Sequence, residues 1–167
     1  MIIGMRGHDF GRMEPRALAL AIREAGFEAT QLAFAKAFPA PAEQYMTPGA
    51  LSEIRSAFAG IILPVMGCYV SASDRDPDVL AEAKARFKRS LSASVILGAG
   101  CVGTETPHFT FPESEREAAY ARLLDFTREV CAHAEQVHAL VGIEPVALHT
   151  LNTPELARRL IADVSSP

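Results

Sequence analysis

Val141-Gly142-Ile143-Glu144-Pro145-Val146 is a short apolar run that ends on a carboxylate and a proline. It reads as a strand region, Leu140 to Val146. Pro145 removes a backbone donor and holds Glu144 extended. Further on, Thr153-Pro154 reads as a helix start, an N-cap followed by proline in the first turn. Leu156, Leu160, Ile161 and Val164 then recur at helical spacing. Strand followed by helix is one β-α unit. A carboxylate at the tip of a buried strand is costly unless a positive group faces it. A divalent metal is one such partner, and an arginine in a structural ion pair is the other.

The same alternation extends back to the N-terminus. Ile2 to Met5 reads as the first strand, followed by a helix with Pro15 near its first turn and Gly26 at its end. Phe27 to Phe34 is the second strand region. Thr47-Pro48 opens a short helix carrying Leu51, Ile54 and Phe58. Gly60 to Val70, with Ile61-Ile62-Leu63, is the third strand region, and Asp76-Pro77 caps a helix with the stripe Leu80, Ala83, Phe87 and Leu91. Ser94 to Gly103 is the fourth strand region, and Glu113 to His138 is the longest helix. Five β-α units predict a parallel α/β protein, residues 1–167 forming a single domain. Two architectures fit. By length alone a five-stranded doubly wound sheet is preferred, because a (β/α)8 barrel usually takes about 250 residues. In both, ligands bind at the carboxyl ends of the strands.

The chain has 167 residues, enough for a substantial core, with 49% hydrophobic and 22% charged residues. The formal net charge of −4 lacks the basic field that phosphate backbones attract, which argues against nucleic acid. Cys68, Cys101 and Cys131 are too scattered for a disulfide framework and form no C-x-x-C pair, so a reducing, cytoplasmic setting is expected. No apolar run has membrane-spanning length, and the N-terminus reads as a strand rather than a signal peptide. A membrane partner is therefore not expected.

Gly98-Ala99-Gly100-Cys101-Val102-Gly103 spells G-x-G-x-x-G. A dinucleotide site needs its last glycine to open a helix. Here Pro107 and Pro112 follow among β-favouring residues, so close packing of a glycine-rich strand is the better reading. Candidate groups stand at the ends of the other strands: Arg6, His8 and Asp9 after the first, Cys68 and Tyr69 after the third, Glu105 after the fourth, His149 after Glu144. Each is a weak signal alone; their shared position around one mouth is the stronger one. His133 and His138 lie in the long helix about 140° apart and cannot easily share a metal. Asp9-Phe10-Gly11 spells D-F-G without the other kinase elements.

Gly142-Ile143-Glu144-Pro145-Val146, His149-Thr150 and Asn152-Thr153-Pro154-Glu155 together resemble the sugar phosphate isomerase/epimerase family. That family belongs to the xylose isomerase-like (β/α)8 barrels, which include D-tagatose 3-epimerase and endonuclease IV. Ile2-Ile3-Gly4 with Gly7-His8, Gly67-Cys68-Tyr69, and Val102-Gly103-Thr104-Glu105-Thr106 fit it in the same order. The resemblance implies a TIM-barrel fold, incomplete here at about five strands. It implies that Glu144 binds a divalent metal (Mn2+, Mg2+ or Co2+, with Zn2+ less expected) and takes part in proton transfer through a cis-enediolate. Arg6, His8, Cys68, Glu105 and His149 would contact a small sugar, sugar phosphate or polyol. Three further metal ligands (Asp, His and Glu) come from later strands in the family. They have no counterpart before Pro167, so metal binding is expected to be weak or absent.

Two other readings stand beside this one. A truncated, non-catalytic assembly domain would form a homo-oligomer through its open sheet edge. A five-stranded nucleotide-binding domain would place its ligand at Gly98 to Gly103. The nuclease branch is opposed by the net charge and the sparse histidines.

Overall fold

The computed structural model describes residues 1–166. Five strands, β1 (Gly4–Arg6), β2 (Ala29–Gln31), β3 (Val65–Gly67), β4 (Cys101–Glu105) and β5 (Val141–Glu144), alternate with helices. The helices are α1 (Pro15–Glu24), α2 (Phe34–Ala37), α3 (Pro48–Ala57), α4 (Pro77–Leu97), α5 (Arg116–Val137) and α6 (Pro154–Val164). Three helix starts follow the local chemistry read from the sequence. The Thr47 and Thr153 side chains accept from Ala50 N and Leu156 N, the Asp76 carboxylate accepts from Asp78 N at 2.9 Å, and proline follows each cap.

All pairings between strands are parallel. β1 pairs with β2, and β3, β4 and β5 pair in that order. Parallel bridges Ala29↔Ile62 and Leu32↔Met66 join the two groups, with Thr30 N donating to Ile62 O at 2.9 Å and Leu32 N to Val65 O at 3.0 Å. The spatial order is therefore 1-2-3-4-5, the same as the chain order. A doubly wound sheet reverses direction once and carries helices on both faces. Here the long helices pack one after another, α1 on α3, α3 on α4, α4 on α5 and α5 on α6. This is an arc of a TIM barrel, and the length argument for a doubly wound sheet is overturned by the strand order. A five-strand nucleotide-binding sheet loses its switch point, where such ligands bind, for the same reason.

The core lies between the strands and this single helix layer. Leu18, Ile22, Phe34, Phe87, Leu91, Leu123 and Phe126 are fully buried there, and Phe87 meets Phe126 edge to face with ring centroids 5.5 Å apart.

Two strand boundaries differ from the sequence reading. Val95-Ile96-Leu97 completes α4 instead of opening β4. Leu97 continues the buried row of Phe87, Leu91 and Ser94 at helical spacing, while Val95 and Ile96 are exposed. Packing of that row overrides the strand preference of two β-branched residues. The β3 ladder is shorter than Gly60 to Val70, because Pro64 has no N–H to donate.

Candidate active site at the strand ends

Side chains alternate along each strand, so register decides which groups meet. Met66, Val102 and Thr104 turn under the helices and are buried. Val65, Gly67 and Tyr69, then Cys101, Gly103 and Glu105, then Gly142 and Glu144 take the opposite, concave face. The pairings Val65↔Cys101, Gly67↔Gly103, Gly103↔Gly142 and Glu105↔Glu144 align these sets across three strands. Gly103 and Gly142 bring no side chains of their own, and their neighbours fill the space instead: the Val65 side chain stands 2.8 Å from where a Cβ of Gly103 would be, and Cys101 Sγ 3.6 Å from that of Gly142. Here opens a cup of about 330 Å³, lined by Gln31, Val65, Tyr69, Cys101 and Glu144 together with these two glycines.

Glu144 lines the cup, and Glu105 stands beside it at the strand tips. They are register partners on adjacent parallel strands, and neither carboxylate has an ion pair or a hydrogen bond among the described residues. Like charges side by side on a sheet repel. Tyr69 faces them, and Gln31 Nε2 donates to its hydroxyl at 3.1 Å. Burial pushes the Tyr69 hydroxyl above its ordinary range, the Gln31 bond opposes this, and the Glu105 and Glu144 charges push further upward.

Arg6 leaves β1 beside this group, with its guanidinium forked onto Asp9 at 3.0 and 3.1 Å. Asp9 chiefly raises the Arg6 pKa, with smaller contributions from Tyr69 and Glu105. His8 sits in the turn Gly7–Phe10, its Nδ1 buried without a partner. Burial and then the Lys36 charge lower its pKa, against the opposing pull of Asp9.

His149 belongs to a second wall. The loops after β4 and β5 zip together as a short antiparallel bridge, His108↔His149. Phe109 N donates to Leu148 O at 2.8 Å and Thr150 N to Pro107 O at 3.0 Å. The two imidazoles lie 5.1 Å apart, and Nδ1 of His149 is buried without a partner.

Cys68 is placed elsewhere. It follows Gly67 at the end of β3 and is 7% exposed, close to Ser90 of α4. The sequence reading paired it with Tyr69 at one mouth; Tyr69 lines the cup and Cys68 does not. Gln31 and His108 were not among the expected groups, and Tyr69 was expected at the mouth without a contact assigned to it. Alternation counted from Gly67 was the signal that could have exchanged Tyr69 for Cys68; the pairing of His108 with His149 has no local signal.

The glycine-rich segment is explained by packing. Gly98 closes α4 in the left-handed region at φ 70°, and a Cβ on Gly100 would stand 2.7 Å from the Pro64 carbonyl oxygen. Gly103 lines the cup.

A divalent metal is implied by the fold family, and the donor set answers in part. Two unpaired carboxylates suit a hard cation. No group of three or more His, Cys, Asp or Glu able to hold a metal comes together among the described residues. Glu144 and Glu105 therefore fit one side of a coordination shell and leave the rest of it to other donors.

The family model for the xylose isomerase-like TIM barrel matches residues 19–167. No curated protein matches the chain in sequence. Among solved structures, 3-keto-D-glucoside 4-epimerase YcjR from E. coli superposes with a TM-score of 0.81 at 17% identity, over 100% of this chain and 65% of that one. D-psicose 3-epimerase, solved with D-fructose, gives 0.78 at 20% identity, over 99% of this chain and 61% of that one. A xylose isomerase-like TIM barrel protein from Mycobacterium smegmatis, solved with magnesium, gives 0.71 at 18% identity, over 99% and 61%. At these identities the likeness is one of fold, and the chain spans less than two thirds of the length of each of these structures. With the family model matching most of the chain and the strand order agreeing with it, the chain belongs to the xylose isomerase-like TIM barrel family.

Proposed function

We propose that these five β-α units carry one side of the active site of a metal-dependent sugar isomerase or epimerase. The observation that supports this reading is the unpaired carboxylate of Glu144 beside that of Glu105 on the concave face at the strand ends. Glu144 is the metal ligand and the catalytic residue. When bound, a divalent ion supplies polarisation of a substrate carbonyl and its neighbouring hydroxyl. Glu144 takes the proton from the carbon α to that carbonyl, and a second carboxylate outside these five strands returns it. Glu105, Arg6, His8 and His149 are assigned to contact the hydroxyls of a small sugar, sugar phosphate or polyol at the same strand ends. Cys68 has no part in this site.

Carboxylate oxygens favour Mg2+ and Mn2+, and solved structures of the same fold include one with magnesium and one with zinc. With two carboxylates alone the affinity is low, so the test is a paramagnetic one. Mn2+ titrated into the 15N-labelled protein is expected to broaden the amides around Glu105, Glu144 and Tyr69 first. Glu144→Gln is expected to remove that broadening, as well as any deuterium incorporation from D2O at C3 of D-fructose. Broadening that begins elsewhere, or that survives Glu144→Gln, contradicts the assignment.

A second reading is an assembly domain, a homo-oligomer without chemistry of its own. Its support is the apolar surface beside β5, where Leu140 is 65% and Ile161 71% exposed.

A further inference from the structure

Cys68 lines a second cavity, of about 320 Å³, at the end of β3, which Gly67 and Tyr69 also border. It lies between α2, the turn Ala42–Met46 and α4. Its walls are apolar, made by Phe34, Met46 and Met66 with the Cys68 thiol among them. Burial pushes that thiol above its ordinary range, so at neutral pH it is an uncharged part of the wall and not a nucleophile.

The rim has the opposite character. Lys36, Arg86 and Arg89 converge on it, and Glu43 is the one carboxylate that lines it. Arg86 reaches Glu43 only at 3.9 Å. Arg89 gives one nitrogen to Glu82 at 2.7 Å. Lys36 forms no ion pair among the described residues, and its ammonium lies 3.5 Å from the centroid of the Tyr69 ring. An apolar chamber of this volume is large enough for a small organic molecule. The excess of cations at its mouth selects one with an anionic head, whereas the cup, with Glu144, repels it.

We propose that this cavity is a second binding site, for a small amphiphilic carboxylate. Its tail lies on Met46 and Met66, and its headgroup sits between Lys36, Arg86 and Arg89. The cavity shares Tyr69 with the cup, but its headgroup site uses none of the residues assigned to the sugar chemistry.

The test is a titration of the 13C-methyl-methionine protein with sodium hexanoate, beside hexanamide at matched ionic strength. The Met46 and Met66 methyl signals are expected to shift saturably with hexanoate and to stay in place with hexanamide, while Met5 and Met13 do not move. Lys36→Gln and Arg86→Gln are each expected to weaken binding about fivefold. The Lys36 side chain is exposed, so that variant carries the test should Arg86→Gln fold poorly. An absent or unsaturable shift, an equal response to hexanamide, or an affinity unchanged by Lys36→Gln overturns the proposal.

Discussion

One residue along β3 separates two environments. Cys68 is buried close to Ser90 of α4, and Tyr69 reaches the cup and meets Gln31. At the tips of β4 and β5, parity and register together set two carboxylates side by side. Electrostatics at this scale also predicts a pH response. His8 is held below its ordinary range, first by burial and then by Lys36. As pH falls below about 6.5, the unfolded chain takes up a proton that folded His8 resists, so its contribution is present above that pH and is lost below it. Urea unfolding midpoints at pH 7 and pH 5 are expected to differ less for His8→Gln than for the parent protein. An equal loss in both would assign the acid sensitivity to other groups.

The elements owe their ends to local chemistry and their lengths to packing. Thr47, Asp76 and Thr153 cap helices as side-chain chemistry demands, and Gly98 ends α4 in a conformation that disfavours other residues. Val95 and Ile96 have the composition of a strand and yet finish a helix, because Leu97 is needed in the buried row. The loop from α4 into β4 then passes so close to β3 that Gly100 has no room for a side chain. Gly100→Ala is expected to destabilise the protein by about 1–3 kcal/mol through the clash with the Pro64 carbonyl. Urea denaturation measures it. A neutral result would mean that the two segments separate easily and that the glycine answers some other need.

At the scale of the molecule, strand order is the deciding feature. Five parallel strands in chain order, with the helices packed in sequence along one side, make a barrel arc whose concave face and outer strand edges are open among the described residues. The groove between α5, β5 and α6 holds the apolar surface around Leu140 and Ile161. Such a surface favours association. The chain is expected to self-associate with rising concentration, and Leu140→Lys with Ile161→Lys is expected to shift it toward the monomer in light scattering coupled to gel filtration. A monomer at every concentration would remove the assembly reading and leave the sugar-enzyme reading standing alone.

The β-α alternation, the capped helix starts, the buried stripe of α4 and the carboxylate that ends β5 were all legible in the sequence. Each depends on residues within a few positions of one another, where periodicity, proline and capping chemistry act. Strand order, the meeting of Glu105 with Glu144, the place of Tyr69 rather than Cys68 in the cup, and the His108–His149 bridge were decided only by the tertiary structure. Those features rest on hydrogen bonds and packing between segments tens of residues apart. Neither length nor local propensity specifies such contacts, because several sheet orders bury the same apolar strands equally well.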